Sequence, residues 1–154
     1  MRKVSGDFTR VRVRLKRKID ANYVERVIRE LGKSLEALLD TNVLVAVLVE
    51  DDVNHREALR VWSGAEKVHV PFISVVELEY FLVKHKLGSK AIQELVNDPK
   101  VEIVPNTSQD IRFALTRKPK SYDDFNDYII LSTARRTSLP LLTFDGELRR
   151  LAKS

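Results

Sequence analysis

The sequence predicts an α/β fold in which a mostly parallel sheet is sandwiched by helices. From residue 34 onward, short apolar runs of strand length alternate with longer segments of helical periodicity. This alternation is typical of β-α-β units, which place strands in parallel and helices on both faces of the sheet. The apolar and charged fractions, 44% and 32%, are those of a globular protein, and 154 residues correspond to about one domain.

Four strands are predicted, because each of four apolar runs is too short for a helix. They are Leu35–Leu39, Val68–Phe72, Val101–Val104 and Pro140–Thr143. Helical patterns fill the intervals between these runs and follow the last one. They span Val43–Val49, Asn54–Ala65, Ser74 to about Gly88, Ser89 to about Asn97, Thr107–Arg117, Asp123–Ser138 and Asp145–Lys153. Ser89 and Asp123 are expected to cap the helices that they open.

Residues 1–33 are predicted to form a basic extension ahead of the body at 34–154. From Phe8 to Ile19, apolar residues alternate with basic ones, which indicates a strand, and a helix capped by Asp20 follows to Leu31. Residues 1–34 carry eleven Lys or Arg and four Asp or Glu, whereas residues 35–154 carry sixteen and eighteen. The asymmetry indicates either contact with a polyanion or acidic partner, or a solvated arm. The extension is expected to pack on the body, pair with another copy or bind a partner.

Composition excludes several classes of protein. The chain has no cysteine, so disulfides, thiolate zinc sites and cysteine nucleophiles are excluded, and a reducing compartment fits. Its five glycines are scattered, so no phosphate-binding glycine loop occurs. The first residues lack the apolar core of a signal peptide, and no apolar run is long enough to span a membrane. We therefore expect a cytoplasmic protein without membrane contact.

Four acidic residues stand beside the presumed ends of apolar runs. They are Asp40, Glu77, Asp127 and Asp145. The carboxyl ends of parallel strands share one edge of a sheet, where ligands bind, so these side chains are expected to converge. Two like charges about 4 Å apart repel each other by roughly 4 kcal/mol at the effective dielectric of a protein surface. Such a cluster tends to bind protons or cations, and hard divalent cations prefer oxygen ligands.

Each of these acids also has a purely structural interpretation. Asp40 and Asp145 suit helix N-caps, and Ser74 with Glu77 fits a capping box. Asp127 suits a first-turn acid that interacts with the helix dipole. In a non-catalytic binding module the acids would only cap helices. A haloacid-dehalogenase-type phosphatase is disfavoured, because Asn42 stands where that chemistry needs a second acid.

Four stretches agree in order and separation with one known family. They are Leu38–Leu44 (LLDTNVL), Ile73–Leu78 (ISVVEL), Asp127–Ala134 (DYIILSTA) and Leu139–Asp145 (LPLLTFD). Residues from about 36 to 150 thus resemble a PIN domain, close to the VapC toxin branch. Helical phase alone does not separate Glu77 from Glu79, and the resemblance favours Glu77.

The resemblance implies a metal-dependent ribonuclease whose acidic residues hold Mg²⁺ or Mn²⁺. The matching quartet is Asp40, Glu77, Asp127 and Asp145, and the supporting polar neighbours are Thr41, Asn42 and Thr143. Asp124 lies one turn before Asp127 and is a further supporting candidate, while Glu147 is a reserve for the last acid. A bound divalent ion would lower the pKa of water and polarise the phosphoryl oxygen.

The same resemblance implies an RNA substrate, an antitoxin protein as partner and a homodimer. A housekeeping RNA-processing nuclease is the alternative within enzymes. Phosphate contacts rely on Lys and Arg. For any single basic residue, a solvated helix face is the favoured interpretation. The candidates for phosphate contact are Lys84, Lys86, Arg117, Lys118, Lys120, Arg135, Arg136, Arg10, Arg12, Arg14 and Lys16. Tyr122 and Phe125 suit either base stacking or local packing.

Overall fold

The protein contains a four-stranded parallel sheet with the strand order β3-β2-β1-β4. It is described by a computed structural model that covers Phe8 and residues 36–153. The strands are β1 (Glu36–Leu39), β2 (Lys67–Pro71), β3 (Val101–Val104) and β4 (Leu141–Leu142). All three pairings between these strands are parallel. The predicted α/β class and the four predicted strands are therefore confirmed.

Seven helices lie in the part of the chain that the structure describes. They are α1 (Thr41–Leu48), α2 (His55–Gly64), α3 (Phe72–Lys84), α4 (Lys90–Asn97), α5 (Ser108–Thr116), α6 (Tyr122–Thr137) and α7 (Gly146–Lys153). Each corresponds to a predicted helical segment, with ends displaced by a few residues. Between residues 36 and 153, no helix has the length and apolar character needed to cross a membrane.

The helices cover both faces of the sheet. Ala37 and Leu39 of β1 pack into the main apolar core, whose other residues come largely from α1, α2, α3 and α4. Leu38 between them packs on the opposite face, with Ala134 of α6. Successive strand residues point to opposite faces, so β1 is buried from both sides, as is usual for a parallel sheet.

Phe8 shows that part of the N-terminal extension belongs to the core. Its side chain is fully buried, and its ring centroid lies 5.2 Å from that of Trp62 on α2. Phe8 itself lies in a 3₁₀ turn and not in a strand. The rest of the predicted strand and helix, residues 9–31, lies outside the described residues, and the division of the chain after residue 33 stays a prediction. Deleting residues 1–33 would remove a core aromatic side chain, a loss that typically costs about 3–5 kcal/mol.

Helix α3 begins two residues before the predicted start, because its cap comes from a distant loop. The Ile73 amide donates to Asn106 Oδ1 at 2.8 Å, and Asn106 Nδ2 donates to Thr133 Oγ1 at 3.0 Å. Ser74 is buried inside the helix and caps nothing. The capping box of Ser74 with Glu77 is therefore wrong, which leaves the Glu77 side chain available for another role.

Helix α6 also begins earlier than predicted. Ser121 is its N-cap and accepts a hydrogen bond from the Asp124 amide at 3.0 Å, so Asp123 is not the cap. Asp127 is the sixth residue of the helix. The unpaired amide groups of a helix belong to its first four residues. Asp127 therefore has no capping role, and the first-turn interpretation of this acid is wrong.

Candidate active site

A cleft of about 960 Å³ lies at the carboxyl edge of the sheet. From β1, the chain adds β2 and β3 on one side of the sheet and β4 on the other. Open parallel sheets bind ligands at such a switch point, which here lies between β1 and β4. Strand β1 runs directly into Asp40, and β4 is followed by Thr143 and Asp145. Five carboxylates from the described part of the chain line this cleft. They are Asp40, Glu77, Asp123, Asp127 and Asp145.

The fold thus brings together all four acids of the predicted quartet and adds a fifth. Asp123 was predicted as a helix cap, but it lines the cleft. Asp124 was predicted to face the cleft, but its Oδ2 accepts from the Lys120 amide at 3.0 Å, and it does not line the cleft. The spacing of Asp123 and Asp127, four residues apart on one helix, was the signal that could have identified the fifth acid.

Asp40 is buried, with 5% of its surface exposed, at the point where β1 meets α1. Its Oδ1 accepts from the Thr41 amide and its Oδ2 from the Thr143 hydroxyl, both at 2.7 Å. The pKa of this carboxyl is raised to about 7, because burial and the charges of Glu77 and Asp145 raise it by more than the two hydrogen bonds lower it. Asp40 therefore caps α1, as the structural interpretation predicted, and also carries a strongly perturbed pKa.

Glu77 is held by two donors from different helices. Its Oε1 accepts from the Thr41 hydroxyl at 2.7 Å and its Oε2 from Asn126 Nδ2 at 3.1 Å. Burial raises the pKa of Glu77, although both hydrogen bonds oppose that rise. Glu79 accepts instead from the Ser89 hydroxyl, at 2.7 and 3.0 Å. The structure therefore selects Glu77 over Glu79 as the cleft residue, a choice that helical phase had left open.

Asp127 differs from its neighbours because none of the described residues donates a hydrogen bond to its carboxylate. Burial first, and the charges of four other acids second, together raise the pKa of Asp127 to about 8. Those acids are Asp40, Asp145, Glu77 and Asp123. At neutral pH this carboxyl is stable only with a proton or with a cation beside it.

The predicted polar neighbours connect the ends of β1 and β4. Thr143 Oγ1 accepts from Asn42 Nδ2 at 3.2 Å and from the Asp145 amide at 3.0 Å. Asn42 Oδ1 in turn accepts from the Phe144 amide at 3.1 Å. Because Thr143 also donates to Asp40, one hydroxyl fixes the relative position of the two strand ends.

Asp145 both lines the cleft and caps the last helix. Its Oδ1 accepts from the amides of Glu147 and Leu148, at 2.9 and 3.1 Å. The reserve candidate Glu147 is exposed and lies 3.9 Å from Arg150 at the surface. Of the two, Asp145 is therefore the acid that the fold directs to the cleft.

A divalent cation suits the chemistry of this donor set. The acidic groups offer hard oxygen ligands, and the pKa values of Asp40 and Asp127 are raised first by burial and then by the negative charges of neighbouring acids. In the described part of the chain, no three His, Cys, Asp or Glu side chains are arranged as a ready cage for an ion. Mg²⁺ needs no such cage, since it keeps several waters and takes one or two carboxylates.

The sequence model of the PIN domain matches residues 37–154. The chain belongs to the PIN domain family. The predicted resemblance to this family is therefore confirmed, and PIN domains are nucleases. A search of curated proteins finds no match to the chain.

A solved structure similar to this PIN domain is that of VapC20 from Mycobacterium tuberculosis, described as a sarcin–ricin loop cleaving toxin. The two agree with a TM-score of 0.63 over 74% of this chain and 93% of the VapC20 chain, at 19% sequence identity. At this identity, the similarity shows a shared fold.

Most of the described cations predicted to contact phosphate serve other purposes or lie away from the cleft, and Lys84 is the exception. Arg136 pairs with the buried Asp110, with 3.0 Å between Nη2 and Oδ2. Arg135 donates to the Leu151 carbonyl at 3.2 Å, and the guanidinium of Arg117 lies over two aromatic rings. The basic residues Arg10, Arg12, Arg14 and Lys16 lie outside the described residues. His85, predicted as a helix-end cation, does follow α3 and also lines the cleft.

Proposed function

We propose that this PIN domain is a Mg²⁺- or Mn²⁺-dependent endoribonuclease and the toxin of a toxin–antitoxin pair. The observation that carries the nuclease proposal is Asp127, a carboxyl that receives no hydrogen bond from the described residues and lies among four other acids at the switch point of the sheet. A fold gains no stability from such an arrangement, because like charges repel. The arrangement is useful when a cation enters, and perturbed carboxyls in a cleft are typical of catalytic sites.

The acidic quartet would hold the ion, which when bound would supply a water of lowered pKa and a Lewis acid for the phosphoryl oxygen. We infer that Asp40 and Asp145 are central ligands, while Glu77 and Asp127 bind or orient a second ion or its water. Separate hydrogen bonds already orient Asp40 and Glu77, through Thr143 and Asn126 respectively. Such outer partners fix the direction of ligand oxygens.

Protons and cations compete for the same carboxylates. With a pKa of about 8, Asp127 holds a proton near neutral pH in the ion-free protein, and Asp40, with a pKa of about 7, is partly protonated. Ligand carboxylates must lose these protons before they bind an ion, so ion binding releases protons. The activity of the nuclease should therefore rise with pH as these carboxyls ionise.

The toxin assignment has the shared fold with VapC20 as its support. In this proposal the substrate is RNA, the partner is an antitoxin protein and the location is the cytoplasm. An arginine of an antitoxin peptide would pair with the acidic cleft through charge-assisted hydrogen bonds. A homodimer suits the exposed apolar side chains on α3 and α5, since such patches mark interaction surfaces. They are Phe72, Val76, Val83, Ile111 and Leu115.

The decisive test is cleavage of mixed RNAs with and without Mn²⁺, by wild type, Asp127→Asn and Asp124→Asn. The two variants make the same carboxyl-to-amide change on one helix, three residues apart, but only Asp127 lines the cleft. We expect Mn²⁺-dependent cutting by wild type and Asp124→Asn, and a loss of roughly 100-fold or more in Asp127→Asn.

Cleavage by Asp127→Asn at the wild-type rate would refute the assigned role, and cutting in the presence of a chelator would refute metal dependence. Asp40→Asn is expected to abolish cutting while the fold survives. For the toxin assignment, expression of the wild-type chain should arrest growth, and a small antitoxin gene beside its own gene should reverse the arrest. If cells that express the active nuclease grow normally, the housekeeping RNA-processing nuclease would be favoured.

A further inference from the structure

Two exposed tyrosines line the cleft from different helices. Tyr80 on α3 is 67% exposed, and Tyr122, the first residue of α6, is 66% exposed. An exposed aromatic ring leaves a large apolar surface in water, and this surface is available to pack against a ligand. Two such rings beside one group of carboxylates indicate a ligand with flat apolar faces.

The same wall of the cleft also carries positive charge. Lys84 lies four residues after Tyr80 on the same helix face and lines the cleft, as does His85. The ring of Phe81 lies 4.6 Å from that of His85, centroid to centroid. The cleft therefore has an acidic end around Asp127 and an aromatic, basic end along α3.

We propose that Tyr80, Tyr122 and Lys84 form a subsite for unstacked nucleotides of single-stranded RNA that flank the cleaved phosphate. This inference rests on the proposed nuclease function. Tyrosine rings stack on splayed bases, and lysine neutralises phosphate. Lys84 lies seven positions after Glu77 on the helix, a rise of about 10 Å, so the ammonium serves a neighbouring phosphate and not the one at the carboxylates.

The subsite selects unpaired RNA. In an A-form duplex the bases are stacked on each other, and side chains cannot reach their faces. A loop or a single strand presents free base faces to Tyr80 and Tyr122. The tyrosines therefore define the class of substrate, whereas the carboxylates define the reaction.

A protein partner is the competing explanation for Tyr80. Phe72, Val76 and Val83 are exposed on α3 beside Tyr80 and would suit a docked helix or a second copy of the chain. None of these three lines the cleft, whereas Tyr80 does. Tyr122 lines it from another helix, and α3 alone does not account for that. The observations favour RNA.

The test measures RNA affinity in the Asp127→Asn background, which keeps the substrate uncut. Fluorescence anisotropy compares a labelled single-stranded RNA with its blunt duplex. We expect Tyr80→Ala and Tyr122→Ala each to weaken single-strand binding by about 5- to 100-fold, and Tyr80→Phe to keep the affinity of the parent. Lys84→Ala should lower the slope of log affinity against log salt by about one.

Val83→Ser is the matched control, because Val83 is as exposed as Tyr80 on the same helix but lies outside the cleft. It should leave RNA affinity unchanged. The inference is overturned if the parent binds no RNA, if both alanine variants bind like the parent, or if duplex binds as tightly as single strand. It is equally overturned if Tyr80→Ala and Val83→Ser change the mass measured by sedimentation but leave RNA affinity unchanged. That result would assign Tyr80 to a protein interface.

Failure of the proposed function gives a different result. Wild-type protein would then cut no RNA with Mn²⁺, even if the tyrosine variants lose affinity for the single strand. Conversely, Mn²⁺-dependent cutting at the wild-type rate by both alanine variants, with unchanged affinity, would remove the subsite and leave the nuclease intact.

Discussion

The buried carboxylate of Asp110 and the acidic side chains of the cleft have their charges balanced in opposite ways. Asp110, fully buried between α5 and α6, accepts from Arg136 Nη2 at 3.0 Å and from Ser132 Oγ at 2.7 Å. Burial raises the pKa of Asp110, but the Arg136 and Ser132 hydrogen bonds, the Thr107 amide and the charge of Arg136 lower it below its ordinary value. In the cleft, burial raises the pKa of Asp127 and neighbouring acids raise it further.

The opposite pKa shifts distinguish a carboxylate that stabilises the fold, Asp110, from carboxylates that are suited to binding a ligand. At Asp110 the chain provides its own cation, so the charge is balanced on folding. Among the described residues that line the cleft there is no equivalent arginine, and the basic side chain Lys84 lies towards the other end of α3. The stability of the charged cleft therefore depends on bound protons or an added ion. The stability of the Asp110–Arg136 pair depends on neither.

The largest expected effect is the loss of the internal cation. Arg136→Ala leaves the buried Asp110 charge unpaired, and we expect the free energy of unfolding to fall by about 3 kcal/mol. Urea denaturation measures the change. Arg150→Ala removes a surface cation 3.9 Å from Glu147 and should cost less than about 0.5 kcal/mol. Equal effects of the two substitutions would remove the distinction between a structural pair and a surface pair.

The second effect has the opposite sign. Asp127→Asn removes a repelled charge without breaking a hydrogen bond, so the ion-free protein should become more stable at about pH 9. Solvent screens part of the repulsion because the side chain is only half-buried, and we expect a gain of about 1–2 kcal/mol. For a domain of this size that corresponds to a rise of about 2–8 °C in Tm. A lower Tm than wild type would show that the charge stabilises the fold.

The smallest effect, taken per pH unit, is the pH dependence of stability in the ion-free protein. Asp40 and Asp127 have folded pKa values of about 7 and about 8, above the ordinary 3.8, so the native state binds more protons than the unfolded state in between. The stability they contribute is fully present below about pH 4 and is lost as the pH rises through 7 to 8. In Asp127→Asn the slope should shrink by up to about 1.4 kcal/mol per pH unit. An unchanged slope would contradict the raised pKa of Asp127.

The sequence predicts much of this cleft because local patterns set the elements that carry it. Apolar runs mark β1 and β4, and Asp40 and Asp145 follow these strands closely, so their convergence depends only on parallel neighbours. Both acids also cap helices, as their positions predict. Strand order and the choice of Glu77 over Glu79 required contacts that no local pattern contains.

The failures share one physical cause, which is that tertiary partners replace local ones. Asn106 supplies the cap of α3 from 33 residues away, so Ser74 was not needed for that role. Asn126 binds Glu77 across 49 residues and was not predicted as a site residue. Arg136 was one of the candidate phosphate contacts and otherwise expected on a solvated helix face, but its partner Asp110 lies 26 residues earlier on a separate helix.

Mn²⁺ binding measured by isothermal titration calorimetry tests the account most directly, in two buffers of different ionisation enthalpy near neutral pH. We predict that the wild-type protein binds Mn²⁺ and releases protons, that Asp124→Asn behaves alike, and that Asp127→Asn binds far more weakly with less proton release. When the free Mn²⁺ concentration is a hundred times the Kd, binding should also stabilise the fold by about 2.7 kcal/mol. No Mn²⁺ binding by wild type, or equal binding by Asp127→Asn, would contradict the cation site.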